Sequence, residues 1–274
     1  MIKRVLRKPQ ALLGALIVLC IVFVAVFAPR LAPHNPELVN VAQKYAPRSA
    51  DYPLGTDRLG RCELSRLLYG ARYSLAISVP TLFALAILGL AGGTLSVCAG
   101  RRIDCTITML CDTFISFPSL IIAVAIIGVL GNGLQNIAVA VVVSMWAWFT
   151  RTVRAYALTE MGRDYILAAR ISGCGTAKLV VRHIIPNILP QYIVYLSTGI
   201  AAAIMMVSSF AFLGLGLPAG VSEWGAMLNE ARAGVYSQPQ LLVYPGICIL
   251  LTAVGFNLFG EALRDALLPE EDAL

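Results

Sequence analysis

The sequence predicts an all-α protein that crosses a membrane several times. Of its 274 residues, 58% are hydrophobic and 13% are charged, about half of the charged fraction that is usual in soluble domains. The mean hydropathy is +0.79. The net charge of +6 is spread over gaps between apolar runs and forms no basic patch with interleaved aromatic residues. This composition argues against a soluble enzyme, a disordered segment and a partner made of nucleic acid.

Six stretches are long and apolar enough to cross a bilayer, which takes about 20 residues. The first, residues 11–28, follows four basic residues. Because no small-residue cleavage site comes after it, we interpret it as an uncleaved anchor and not as a signal peptide. The charge-free run 113–150 is too long for one span and is divided at Gly131, Asn132 and Gly133, which predict a turn. The other five predicted spans are residues 73–100, 105–130, 134–150, 187–213 and 241–260.

The side on which the chain ends depends on residues 184–222. This stretch contains Pro186, Pro190 and a glycine-rich segment, residues 214–218, and we count one span followed by a loop. A second span hidden there would move the C-terminus to the opposite side. With six spans, 13 of the 21 Lys and Arg residues lie on the side of both termini. The positive-inside rule then predicts cytoplasmic termini, although the arginines of the loop 30–72 oppose it.

The loop 30–72 is expected to be structured at its end. Residues 54–60 predict a turn with Asp57 near the start of a helix, and apolar residues follow at helical spacing: Leu64, Leu67, Leu68 and Ala71. Three arginines fall elsewhere on this helix: Arg61, Arg66 and Arg72. Two interpretations stay open. The segment is an amphipathic helix on the membrane surface, or it is a loop helix packed against the bundle.

Residues 151–186 contain the pattern that is most informative about function. A basic helical run is followed by an alanine-rich helical piece, which Gly173 breaks, and then by a second basic amphipathic piece, residues 176–182. Pro186 begins the next span, where its missing N–H costs little. A short helix beside a glycine turn can lie flat beneath the membrane and fit a groove of a cytoplasmic partner.

The spacing of Ala168-Ala169, Gly173 and Pro186 resembles the EAA loop in permease subunits of bacterial ABC importers. In that family the loop forms the coupling helix, which docks on the ATPase subunit. Leu167 stands where the family has its leading Glu. The resemblance therefore implies an ATPase-coupling role for eight residues: Tyr165, Leu167, Ala168, Ala169, Gly173, Arg182, His183 and Pro186.

Further motifs are similar to the dipeptide, oligopeptide and nickel branch of that family. They are Leu54-Gly-Thr-Asp57 with Gly60-Arg61, Phe210 to Gly216 with Glu223-Trp224-Gly225, and Pro245-Gly246 with Asn257, Gly260 and Leu263-Arg264-Asp265. The second-type subunit of the branch has a large loop after its first span, as this chain does. Trp146-Ala-Trp148 and Gln238-Pro239 favour the nickel or nickel-chelate members.

The resemblance implies the type I ABC importer permease (MetI-like) fold. Residues 1–72 would form the anchor helix and external loop, and residues 73–274 the core permease domain, with the cytoplasmic coupling loop at about 151–186. The implied location is the bacterial cytoplasmic (inner) membrane. An extracytoplasmic binding protein would deliver nickel, a metal chelate, or a di- or oligopeptide to a pore shared with a second homologous permease subunit.

ATP and Mg are expected on two cytoplasmic ATPase subunits and not on this chain. The sequence contains no Gly-x4-Gly-Lys-Ser/Thr motif, so we expect a pore subunit that is no enzyme and binds no cofactor. The alternative is a secondary transporter or channel subunit without an ATPase partner. Seven scattered cysteines are expected to be small buried hydrophobic residues, and two distant histidines match no metal site.

Five residues are candidates for a pore or gate: Asp112, Met205, Glu223, Trp224 and Asn229. An acid inside a span is a functional hypothesis by default, but Asp104 and Asp112 could also pair with Arg101 and Arg102. Met205 is more often a packing residue than a metal ligand. The last three candidates could contact the delivering protein, close the pore mouth or build a structural turn.

Overall fold

The computed structural model describes residues 9–215, 218 and 220–267, and α-helices make up most of this part. The helices in order are α1 (Pro9–Leu31), α2 (Glu63–Cys98), α3 (Arg101–Ile115), α4 (Ser119–Leu130), α5 (Leu134–Met161), α6 (Asp164–Ile171), α7 (Thr176–Leu179), α8 (Ile185–Phe212), α9 (Trp224–Ala231) and α10 (Gln240–Leu267). A π-helical turn, Val180–Ile184, joins α7 to α8. The all-α prediction is confirmed.

The predicted span 105–130 is wrong as a single helix. Helices α3 and α4 meet at a bend of 87°. The bend lies at Pro118, which has no backbone N–H to donate and disfavours a helical conformation of Phe117 before it.

The bent pair nevertheless passes from one end of the bundle to the other. Asp104, in the first turn of α3, contacts Arg154 near one end of α5. Ile127 of α4 packs with Ile137 near the other end of α5. Among the described residues, five helical segments are long and apolar enough to span a membrane on their own. If the bent pair counts as one broken span, residues 9–267 have up to six segments able to cross a membrane by length and composition, in agreement with the six that the sequence predicts.

Helix α2 begins ten residues before the predicted span. Its 36 residues extend about 54 Å at 1.5 Å per residue, which exceeds the roughly 30 Å of hydrocarbon in a bilayer. Residues 63–72 are therefore the first turns of α2 and not a separate helix on the membrane surface. Arg61 and Arg66 are only 2% and 1% exposed, so this region packs into the bundle, as the second interpretation held.

The described residues of the stretch 184–222 contain one span, as predicted. Pro186 lies in the first turn of α8, and Gly214 follows the helix in a left-handed conformation with φ of +77°. Three residues of the glycine-rich segment, 216, 217 and 219, lie outside the described residues. The next helix, α9, has eight residues and is too short to span.

Glycines allow close contacts between the helices, and the bundle has two chemically different ends. Helix α1 packs against α10 at Gly14, where an added Cβ would lie 2.6 Å from the backbone N of Phe259. Gly89 and Gly93 let α2 approach α5 in the same way.

The end that carries residues 32–62 and α9 is called the loop end. The end that carries α6, α7 and the basic residues of 151–182 is called the basic end.

Candidate functional site

The segment from α6 to the start of α8 projects from the basic end and is anchored there by apolar side chains. Ile166, Leu179 and Ile184 are at most 1% exposed and pack in the cluster that contains Phe149 and Val153. One face of these short helices therefore packs on the bundle, and the opposite face is exposed.

The outward side of α6 is apolar. Leu167 and Ile171, four positions apart and so on one helical face, are 59% and 79% exposed. We call these two residues the docking face. Four exposed cations lie in the same segment: Arg163, Arg170, Lys178 and Arg182. An apolar centre with a polar, charged surround is the usual anatomy of a protein–protein interface.

Gly173 ends α6 as the sequence predicts. Its φ of +79° lies in the left-handed region, and its N–H donates to the carbonyl of Arg170 at 3.0 Å. The N–H of Cys174 donates to the carbonyl of Ala169, also at 3.0 Å. An added Cβ at position 173 would meet open space, so the glycine is required by the backbone conformation and not by packing.

The other predicted coupling residues surround this turn. Ala168 is exposed, Ala169 is half-buried, and Arg182 and Pro186 are exposed at the junction with α8. The His183 ring lies 6.4 Å from the ring of Tyr165, centroid to centroid. The structure thus gathers the predicted set into one continuous segment.

Tyr165 links three parts of the basic end. Its hydroxyl donates to the carboxylate of Glu160 in α5 and accepts from Nδ2 of Asn187 in α8 at 3.0 Å. Partial burial and the Glu160 carboxylate raise the pKa of Tyr165 to about 12. The phenol therefore stays protonated at neutral pH and remains a donor. Sequence reasoning selected Tyr165 but missed Glu160 and Asn187.

Helix α3 carries a polar stripe with a period of four residues. Its members are Asp104, Thr108, Asp112 and, directly after the helix, Ser116, and all four line an open cleft with Arg154. Two guanidinium nitrogens of Arg154 donate to Asp104 at 2.6 and 2.8 Å. Arg151 donates to Asp112 at 2.9 Å, and this pair is more than half exposed.

The expected ion-pair partners of Asp104 and Asp112 were therefore wrong. The carboxylates pair with arginines of α5 and not with Arg101 and Arg102, because α3 packs with its polar stripe toward α5. The prediction that both acids form ion pairs is confirmed.

The loop end contains a charge cluster that is buried. Asp57 accepts from the backbone N–H groups of Leu59 and Arg61 at 2.8 and 2.9 Å. Its other carboxylate oxygen lies 2.7 Å from Nε of Arg61 and 2.7 Å from Nη1 of Arg66. Glu230 of α9 contacts both arginines, at 2.9 Å in the case of Arg66. These four residues are called the loop-end charge cluster.

Sequence reasoning missed this cluster. Arg66 was only placed off the apolar face of the helix, and Glu230 was not singled out. The useful signal would have been the rarity of charge in this chain, because isolated acids and arginines in an apolar protein usually have partners.

Glu223, Trp224 and Asn229 fasten α9 to its neighbours. Glu223 is fully buried, and one carboxyl oxygen accepts from the hydroxyls of Ser74 and Ser208, each at 2.9 Å. The other caps α9 by accepting from the backbone N–H of Ala226 at 3.0 Å. Burial raises the pKa of Glu223 above its ordinary value.

The aromatic and amide groups complete this attachment. Nε1 of Trp224 donates to the carbonyl of Leu67 at 3.1 Å, and Asn229 donates to the carbonyl of Phe212. Among the alternatives for these three residues, the contacts favour the structural turn. Met205 lies elsewhere, on α8, and is 55% exposed.

The cysteines follow the expectation only in part. Cys62 and Cys111 are buried, whereas Cys20 and Cys105 are exposed on the surface of the chain. In a membrane protein an exposed position on a spanning helix can face lipid or another subunit, so exposure there does not require a polar residue.

Comparison with known proteins identifies the family. Residues 86–271 match the family model of the binding-protein-dependent transport system inner membrane component, and residues 1–47 match the N-terminal TM domain of oligopeptide transport permease C. The chain belongs to this family of transport permeases. It is a multi-pass inner-membrane permease subunit of an ABC importer, in the branch that includes nickel and dipeptide permeases.

Individual relatives cover nearly the whole chain. It is 34% identical to the nickel transport system permease protein NikC of Escherichia coli K12, over 94% of this chain and 93% of that protein. It is 38% identical to the di/tripeptide transport system permease protein DppC of Pseudomonas aeruginosa UCBPP-PA14, over 95% and 88%. It is 34% identical to the metal-staphylopine import system permease protein CntC of Staphylococcus aureus NCTC 8325, over 98% and 93%.

Proposed function

We propose that the chain forms a translocation pathway together with a second homologous permease subunit, and that two cytoplasmic ATPase subunits drive it. The observation that supports this most directly is the docking face. Leu167 and Ile171 expose apolar surface on a helix whose opposite side is anchored by Ile166. Such a patch beside exposed cations is suited to a protein partner. ATP and Mg bind to the partner subunits, and this chain contributes no cofactor site.

The basic end faces the cytoplasm in this proposal, as do both termini. Six crossings place the termini on one side, and that side carries the larger share of Lys and Arg. The loop end then faces outward, where an extracytoplasmic binding protein delivers the substrate.

The polar stripe of α3 lines the pathway. Asp112 and Arg151 are more than half exposed although they belong to segments of the membrane-spanning bundle. Polar groups at membrane depth must face water or other protein, and an open cleft supplies such a surface. Asp112 and Met205 are the proposed pathway residues, and Glu223, Trp224 and Asn229 hold the wall that closes the loop end.

The proposed substrate is nickel or a metal chelate, with di- or oligopeptides as the alternative. The motifs around Trp146 and Gln238 support the first, and two of the relatives named above transport nickel or metal-staphylopine according to their names. The di/tripeptide permease, at 38% identity, supports the alternative. Uptake of labelled nickel, free and chelated, against labelled dipeptide in a strain lacking this chain distinguishes them.

A pull-down of the tagged chain from membranes tests the coupling. We expect ATPase subunits to co-purify with the wild-type chain and with Gly246→Ala, a helical glycine with open space around it. Gly173→Asp should lose or uncouple them, because a side chain with φ near +79° strains the turn after α6. A wild-type chain that retains no ATPase would favour the secondary transporter or channel.

A further inference from the structure

We propose that Tyr165 is a positioning residue that connects α6 directly to both long helices at the basic end, α5 and α8. The inference rests on the proposed function, because it requires an ATPase that displaces α6. Its role is to make α5 and α8 follow that displacement together.

The Tyr165 hydroxyl donates one hydrogen bond and accepts another. Its proton goes to Glu160 in the last turn of α5, and its oxygen accepts from Asn187 in the first turn of α8. The Asn187 amide also donates to the carbonyl of His183 at 2.6 Å, which fixes the amide against the π-helical turn. A hydroxyl can donate once and accept, so one group serves both helices.

The other attachments of α6 are weaker or less directional. Arg170 donates to the thioether sulfur of Met161, a weak acceptor, at 3.6 Å. Ile166 holds the helix through apolar contact, which does not fix its rotation or sliding. The covalent path from α6 to α8 passes through Gly173, α7 and the π-helical turn, and turns of that kind are frequent at functional sites. The Tyr165–Asn187 bond shortens this path to a single contact.

This arrangement separates docking from transmission. Leu167 and Ile171 supply the docking face, whereas the Tyr165 hydroxyl is directed to Glu160 and Asn187 of the same chain. Removing the hydroxyl but keeping the ring should therefore leave the ATPase bound and weaken only the transfer of its movement.

The test uses the complete importer in proteoliposomes with Tyr165→Phe. We expect the ATPase subunits to co-purify in wild-type amounts, and the number of substrate molecules transported per ATP to fall about two- to tenfold, the factor that corresponds to a typical net hydrogen bond. Asn187→Ala removes the bond to α8 and should cause a similar fall. Glu160→Gln keeps an acceptor oxygen and should lower the number of substrate molecules transported per ATP less than either of these substitutions.

Two further variants sharpen the result. In the double variant Tyr165→Phe/Asn187→Ala, transport per ATP should fall by less than the product of the two single falls, because the contact that the two residues share is lost only once. Tyr236→Phe is the matched control, since it removes the hydroxyl of a fully exposed tyrosine at the loop end and should transport as the wild type does.

The outcomes separate the two proposals. Unchanged transport per ATP in Tyr165→Phe, with ATPase bound, overturns the positioning role and leaves the importer function intact. Loss of ATPase from Tyr165→Phe also overturns it, because Tyr165 would then be a docking contact. If no ATPase co-purifies with the wild-type chain, both proposals fall.

Discussion

The two ends of the bundle use the same kinds of polar contact in different environments. At the loop end, Arg61, Arg66 and Glu223 are at most 2% exposed. At the basic end, Arg151 and Asp112 are 57% and 53% exposed, and Tyr165 is 40% exposed. Breaking a buried ion pair is costly, because the remaining charge stays in a low-dielectric environment. When an exposed pair is broken, water solvates the remaining charge.

This difference suggests a division of mechanical roles. The loop end holds one arrangement of α2, α8 and α9, and the basic end keeps polar groups that can exchange partners when other subunits move. Four experiments test this comparison, beginning with the largest expected effect on stability.

The largest contrast is between Arg66→Met and Arg151→Met. Arg66→Met leaves Asp57 and Glu230 with Arg61 alone in a buried cluster and should lower the free energy of unfolding by about 3–5 kcal/mol. Arg151→Met removes an exposed pair and should change it by at most about 1 kcal/mol. Thermal unfolding of both variants in detergent measures the difference, and equal shifts would contradict the comparison.

Gly225→Ala tests how tightly α9 is held at the loop end. The added Cβ would lie 2.1 Å from the backbone carbonyl oxygen of Ser208, so α9 must move away from α8. We expect a loss of about 1–3 kcal/mol, the usual cost of overpacking. Gly246→Ala is the matched control and should be neutral or stabilise by up to about 1 kcal/mol. Wild-type stability of Gly225→Ala would show that α9 is loosely seated.

The buried carboxyl group of Glu223 should make the stability of the protein depend on pH. Because burial raises its pKa in the folded chain, the contribution of Glu223 to stability is complete below its ordinary pKa of 4.5 and is lost as the pH rises through the raised value. The melting temperature should therefore fall as the pH rises above about 4.5. Glu223→Gln, which keeps an acceptor oxygen, should reduce this slope. An identical slope in the variant would assign the pH dependence to other groups.

Asp112→Asn should have the smallest effect on stability, at most about 1 kcal/mol, because the pair with Arg151 is exposed. If the polar stripe of α3 lines the pathway, uptake should nevertheless fall while the ATPase subunits still co-purify. The measurement is substrate uptake normalised to the amount of assembled complex. Normal uptake would remove Asp112 from the proposed pathway.

Local patterns predicted much of the fold and of the structure of the segment 151–186. Charge-free runs located the crossings. Gly173 correctly marked the end of α6, and Pro186 correctly marked the start of α8. The bend at Pro118 was missed because the run 113–150 is free of charge, so that the absence of charge is the same for a straight span and a broken one. The start of α2 was missed because its first turns contain charges that become buried only against α9.

The amino-acid sequence alone is enough to predict an all-α membrane permease with about six crossings and a short helix that ends at Gly173. These properties depend on hydropathy and on short motifs, and both are local. The pairing of Arg61 with Glu230, 169 positions apart, and of Arg151 with Asp112, 39 positions apart, was decided by the tertiary structure. Such pairs depend on the rotation and packing of whole helices, because a side chain reaches only the residues that its helix face is turned toward.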